Sequence, residues 1–249
     1  MTSFRAILTY HSLDESASPI SVSPSAFAGH VRSLASGHVR VLALDELWAE
    51  VRSGSEPAGD AVAITFDDGF ANFAEHAAPI LREHGLPSTV FVVSQCVGRT
   101  NAWNGRDEPG IPTLPLLDWD VLGRLRESGV SIGGHTRTHR HLDRLGASEI
   151  TDEVLGGRDE IASALGAAPR SFAYPYGAVS DAASDCVAHA FDVGVTTQLR
   201  ALSPDDTAAR IPRLDAYYLR GANDLDAWGS VRFRAYVRLR AAIRSLRSA

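Results

Sequence analysis

The stretch AVAITFDDG, Ala61-Val62-Ala63-Ile64-Thr65-Phe66-Asp67-Asp68-Gly69, carries an apolar run straight into two adjacent carboxylates. A short continuous apolar run that ends in a turn signal reads as a strand covered on both faces, and such strands belong to parallel sheets. Two like charges at the mouth of that strand raise the cost of ionising both, so a positive group is expected beside them.

Working outward, runs of the same kind recur at 6–10, 39–42, 88–93, 130–132, 171–174 and 192–196, with helical segments between them. Ser23-Pro24 opens a helix that runs to Ser36, Asp45 caps one that carries Leu47 and Trp48, and Asp118 caps one from Trp119 to Ser128. Ser148-Glu149-Ile150 and Ser180-Asp181 begin two more. Strand and helix alternating about seven times means an open doubly wound sheet or a barrel, and both put their sites at the carboxyl ends of the strands. The segment 99–115, rich in Gly, Pro and Asn and holding Trp103, breaks the rhythm as a long irregular loop of the kind that often serves function.

The 249 residues fall within the range of one α/β barrel. With 45% hydrophobic and 22% charged residues, the composition excludes a disordered or fibrous chain. Lys and Arg number 24 against 30 Asp and Glu, a net charge of −6, which excludes a general nucleic-acid-coating protein. The first residues lack the apolar stretch of a secretory signal, and no run of about 18 apolar residues occurs, so a cytoplasmic location is expected. Cys96 and Cys186 stand outside any Cys-x-x-Cys pair and read as small buried residues of a reducing compartment.

A second informative stretch is SIGGHTRTH, residues 131–139. Two histidines four apart share one face if the backbone turns helically after the strand, so both rings can reach one ion. Gly133 and Gly134 would let the backbone approach whatever is bound. With a carboxylate from TFDDG the site gains an oxygen ligand and keeps an open position for water, and a divalent cation there supplies the missing positive charge. The neighbouring aspartate then becomes a candidate general base. Each motif alone has a plainer reading, a surface histidine pair and an Asp-Asp-Gly turn; their joint placement at strand ends favours the metal.

The third stretch, Phe172-Ala173-Tyr174-Pro175-Tyr176-Gly177, reads on its own as a strand that stops at a proline. TFDDG, HTRTH and FAYPYG in this order resemble the polysaccharide deacetylase family, also called the NodB-homology or carbohydrate esterase family 4 group. The resemblance covers roughly residues 6–197 and implies a distorted (β/α) barrel of about seven parallel strands in a single domain. It implies Asp67 as general base, Asp68, His135 and His139 as ligands of one divalent metal ion, and the backbone N–H of Tyr176 as an oxyanion donor. Zinc is the first expectation, with cobalt, nickel or manganese as alternatives. The implied reaction removes an N-acetyl group from a glycan or a lipid-linked glycan precursor, with Tyr174, Pro175 and Trp103 as candidate substrate contacts.

Two departures stand out. The family's arginine two residues before the proline, which orients the base, is replaced by Ala173, and Arg170 is only a distant substitute. The family's carboxy-terminal Leu-x-His is missing, since no histidine follows His189, but Leu8-Thr9-Tyr10-His11 ends the first strand. The chain therefore looks like the circularly permuted branch, similar to poly-N-acetylglucosamine deacetylases, and His11 is its expected general acid. His76, His84 and His141 read as surface or helix-terminal residues, and Asp215 as either a cleft residue or a salt-bridge partner.

The catalytic domain is placed at 1–222 and a basic amphipathic helix at 223–249. Val231, Ala235, Leu239, Ala242 and Leu246 form an apolar stripe at helical spacing among arginines, in a stretch, 228–247, that contains no acid. The stripe packs the helix on the barrel, or the helix lies on an anionic membrane. Three other activities stay open at this point: a hydrolase of small non-sugar amides, a non-haem iron oxygenase using the same two-histidine, one-carboxylate set, and a silent glycan-binding module.

Overall fold

The two long strands, RAILTY and AVAITF, are mostly apolar and buried at every position but Arg5, because both faces of their sheet are covered. The computed structural model describes residues 3–53 and 58–247; Met1, Thr2, residues 54–57, the last two residues and the side chain of Arg247 lie outside the described residues. In chain order the strands are β1 (Arg5–Tyr10), β2 (Ser12–Leu13), β3 (Ser21–Val22), β4 (Arg40–Val41), β5 (Ala61–Phe66), β6 (Thr89–Val92), β7 (Ser131–Gly134), β8 (Ser171–Ala173), β9 (Val193–Val195) and β10 (Leu214–Asp215). The α-helices are α1 (Pro24–Ala35), α2 (Leu44–Arg52), α3 (Ala78–Glu83), α4 (Trp119–Glu127), α5 (Ala147–Thr151), α6 (Gly157–Leu165), α7 (Asp181–Ala190) and α8 (Val231–Arg247).

The main sheet runs β10-β1-β5-β6-β7-β8-β9, with β4 on the first half of β5, and all of its pairs are parallel. Its end strands are drawn together by the segment leading into β10. Ile211 bridges Val195 in parallel, and its N–H donates to Gly194 O at 2.8 Å, while Leu214 and Asp215 pair with Leu8 and Thr9. The sheet thereby curls into a distorted barrel in one domain, as the motifs imply. β10 was not expected, because two residues give too short a run to read as a strand.

Alternation along β1 and β5 sorts the core into two layers. Ala6, Leu8, Tyr10, Val62, Ile64 and Phe66 join the layer under the helices, where the Phe66 ring lies 5.2 Å from Tyr10 and 4.7 Å from Phe73. Ile7, Ala61 and Ala63 meet Phe91, Ala173, Val195 and Ile211 on the other face. Thr65 and Asp67 continue that second row, so the alternation itself delivers Asp67 to the carboxyl end of the barrel interior.

Ser23, Asp118 and Ser180 cap α1, α4 and α7 through their side chains, as read from the sequence. Asp45 does not cap α2: the helix begins at Leu44, and Glu46 accepts the Ala43 N–H instead. α8 docks through Phe233 and Val237, with the Phe233 ring edge-on to Phe4 at 5.6 Å. The stripe expected to pack this helix is the outward one. Val231, Leu239 and Leu246 are 68, 59 and 80% exposed, and Ala235 and Ala242 are exposed beside them.

Candidate active site

The chain reverses sharply where β5 ends. Asp68 and Gly69 both take left-handed backbone, at φ 69° and 73°, which aspartate tolerates better than most residues. This turn sends the two carboxylates apart, Asp67 along the barrel interior and Asp68 towards β7.

His135 and His139 do meet Asp68, but not through a helix. The segment after β7 is an irregular loop in which Thr136 and His139 are left-handed, at φ 65° and 64°. Thr136 Oγ1 accepts the His139 N–H at 2.9 Å. The buried Glu153 carboxylate accepts the Arg137 N–H at 3.0 Å, the Thr138 N–H at 2.9 Å and the Thr138 hydroxyl at 2.5 Å. Nor do the glycines clear space for a ligand. A Cβ on Gly133 would clash at 2.4 Å with the Phe91 ring, so this glycine serves core packing, and one on Gly134 would point at the Phe172 and Phe191 rings, 3.4 Å away, rather than into a ligand space.

The donor set suits a metal ion. Asp68 Oδ1 lies 3.3 Å from His135 Nε2 and 3.2 Å from His139 Nε2, yet this buried oxygen is hydrogen-bonded to neither ring. Among the described residues these three side chains form a cluster whose ligand atoms all lie within 4.8 Å of one another. Carbonyl Ala173 O is an acceptor only, so at 2.8 Å it fixes the proton on His135 Nδ1 and leaves Nε2 free to coordinate. The Tyr176 hydroxyl, 3.1 Å from His139 Nδ1, can do the same for the second ring. Burial pushes the Tyr176 phenol up to about 12, so it remains neutral. Two imidazoles and one carboxylate with a fourth position open are the donor set of a catalytic zinc-type site.

Asp67 is gripped by a residue not singled out from the sequence. Arg213, fully buried ahead of β10, donates to Asp67 Oδ1 at 2.7 Å and Oδ2 at 2.6 Å, and also to Thr65 Oγ1 and Thr196 O. Burial opposes the Asp67 charge, but the guanidinium outweighs it and holds the carboxyl below its usual range. Arg213 thus fills the gap left by Ala173. Arg170, the substitute considered, is exposed and paired with Asp192 and Asp45. A single arginine bracketed by apolar residues in Ile211-Pro212-Arg213-Leu214 was the available signal.

His11 follows β1, beside β5, and its Nε2 lies 3.9 Å from Asp67 Oδ2, too far for a hydrogen bond and with part of the ring exposed. Trp103 comes from the irregular loop to stack on His139 at 4.1 Å, and His141 stacks on Tyr176 at 3.9 Å rather than facing solvent. These rings border an open cavity of about 480 Å³. Tyr176 is exposed and left-handed, at φ 59°. Tyr174 and Pro175 are buried, and the Tyr174 hydroxyl is spent on Ala209 O, so neither is placed to touch substrate. Asp215 caps a turn by accepting the Tyr217 N–H.

The sequence pattern described as polysaccharide deacetylase matches residues 54–197, more than half of the chain and all three motifs. The chain belongs to this family. Among relatives of this deacetylase-family chain is the poly-beta-1,6-N-acetyl-D-glucosamine N-deacetylase of Staphylococcus epidermidis, 26% identical over 204 residues. The match takes in 78% of this chain and 67% of that one, so the chain spans about two thirds of its length. Two solved structures share the fold. The Streptococcus pyogenes deacetylase PplD, solved with acetate, is 20% identical, with a TM-score of 0.76 over 90% of this chain and 97% of that one. IcaB of Ammonifex degensii is 22% identical, with a TM-score of 0.72 over 91% and 99%.

Proposed function

We propose that this chain is a metal-dependent hydrolase that removes N-acetyl groups from an amino-sugar glycan or a lipid-linked precursor of one. The observation that carries the reading is the pairing of two unlike aspartates: Asp68 facing the Nε2 atoms of two imidazoles, and Asp67 locked by Arg213 beside them. The 26% identical relative named as a poly-N-acetylglucosamine deacetylase supports the sugar.

Asp68, His135 and His139 would hold a divalent cation, zinc before cobalt, nickel or manganese, which would supply Lewis acidity and the means to make a water molecule acidic near neutral pH. Asp67 takes the proton of the attacking water, and Arg213 fixes the direction in which its carboxylate points. The backbone N–H of Tyr176 donates to the oxyanion that forms on the acetamide carbon, the kind of contact whose removal costs about 3–4 kcal/mol. His11, 3.9 Å from Asp67, gives a proton to the departing amine, because an unprotonated amide nitrogen leaves very poorly. Acetate departs and the amine stays on the glycan. Trp103 and Tyr176 offer ring surface beside the reacting centre for a sugar.

A carboxylate held ionised by Arg213 beside the cluster suits it to take a proton from water, which favours hydrolysis over the iron oxygenase reading. The two free cysteines support a cytoplasmic location. Acetate released from N-acetylglucosamine oligomers, compared between wild type and Asp67→Asn, tests the assignment. The mutant should lose nearly all turnover while still binding metal, and full turnover in the mutant would overturn the mechanism.

A further inference from the structure

Helix α8 presents two faces of opposite use. Phe233 is buried against Phe4 and Trp228, and Val237, one turn on, is buried in the same core. On the far side Val231, Ala235, Leu239, Ala242 and Leu246 make one exposed apolar line, with exposed Arg232 and Arg238 on its two flanks. Of the five large hydrophobic side chains exposed among the described residues, three are on this line, so the patch is not scatter. Six of the chain's 24 basic residues lie on α8 and none of its 30 acidic ones, which leaves 18 basic against 30 acidic residues elsewhere.

We propose that the outward face of α8 docks this protein on an anionic lipid bilayer, with the apolar line in the acyl boundary and Arg232 and Arg238 among the headgroups. The charge pattern selects this occupant. A second copy would set arginine-flanked lines against one another, and a nucleic acid would leave the apolar line uncovered. A bilayer with anionic lipids satisfies the line and its flanks together. The helix is about 25 Å long, enough to lie in the interface along its whole length. No helix among the described residues is long and apolar enough to cross a membrane.

The last turns of α8 also border the site. An open groove of about 760 Å³, lined by Ala242 and Ser245 on one side and Thr197 and Tyr176 on the other, runs from the helix to the active-site rim. Docking through α8 lays this groove beside the membrane, where a lipid-carried or emerging glycan would enter it. That last consequence rests on the deacetylase reading; the docking itself does not.

Flotation of the full chain with phosphatidylglycerol-containing vesicles, against pure phosphatidylcholine vesicles, tests the proposal. Wild type should float with the anionic vesicles only. Partition should fall about fivefold for each of Arg232→Ser and Arg238→Ser, and more than about tenfold for Leu239→Ser with Leu246→Ser. All variants should release acetate from soluble oligomers as wild type does, which separates a failure of docking from a failure of the deacetylase assignment. Equal flotation with both vesicle types, or variants that float like wild type, would overturn it. So would sedimentation showing a lipid-free dimer that the leucine variant dissociates, or an acidic protein partner that competes wild type off the vesicles.

Discussion

Arg213 holds both carboxylate oxygens of Asp67, at 2.7 and 2.6 Å, from 146 positions further along the chain. Both groups are buried, so each is the other's compensation for lost hydration. Arg213→Ala should cost about 3–5 kcal/mol of stability, because it strands a buried carboxylate. Arg213→Lys should not rescue it, since an ammonium cannot form the fork. Denaturant unfolding of both variants checks this, and a lysine variant as stable as wild type would contradict it.

His11 stands 3.9 Å from Asp67 with its ring partly open to solvent. As a general acid outside the metal's ligand set, it should cost about 10²–10⁴ in kcat when changed to alanine, with bound metal still stoichiometric by elemental analysis. Loss of the metal along with activity would make it a ligand instead.

Tyr176 touches the metal site through its side chain as well as its backbone, its hydroxyl lying 3.1 Å from His139 Nδ1. Tyr176→Phe should weaken metal binding about 10- to 100-fold, read by competition with a chromogenic chelator. Unchanged affinity would confine the tyrosine to the groove wall.

His30 gives the fold a pH dependence away from the site. Its Nε2–H donates to Gly221 O at 2.9 Å and its Nδ1 accepts from the Tyr10 hydroxyl at 2.9 Å, the pattern of a neutral ring. Burial holds it below the usual histidine value of 6.5. The unfolded chain therefore binds this proton more readily, so the contribution is complete above about pH 6.5 and is lost as pH falls from there through the lowered folded value. His30→Gln should flatten the fall in melting temperature between about pH 7 and pH 5 relative to wild type. Parallel curves would remove His30 as the cause.

Much of this was legible because apolar runs and paired acids are local signals. The 61–69 stretch sufficed for a buried parallel strand and its polar mouth, and the histidine spacing for two ligands. A helix does not produce that spacing: two left-handed residues and a buried Glu153 shape the loop, and backbone hand leaves no periodic trace on non-glycine residues. Arg213 was missed because its partner is brought near only by curling of the sheet. On α8 the periodicity reveals an apolar stripe but not the shorter buried one at Phe233 and Val237, which wins the docking because the Phe233 ring meets Phe4 and Trp228.

The most direct measurement is acetate release from N-acetylglucosamine oligomers after the metal has been stripped with chelator and then restored. Turnover should be lost on stripping and recovered with one divalent ion, with no recovery in Asp68→Ala. Undiminished acetate release from the metal-free chain, or recovery in Asp68→Ala equal to wild type, would contradict the metal-dependent mechanism.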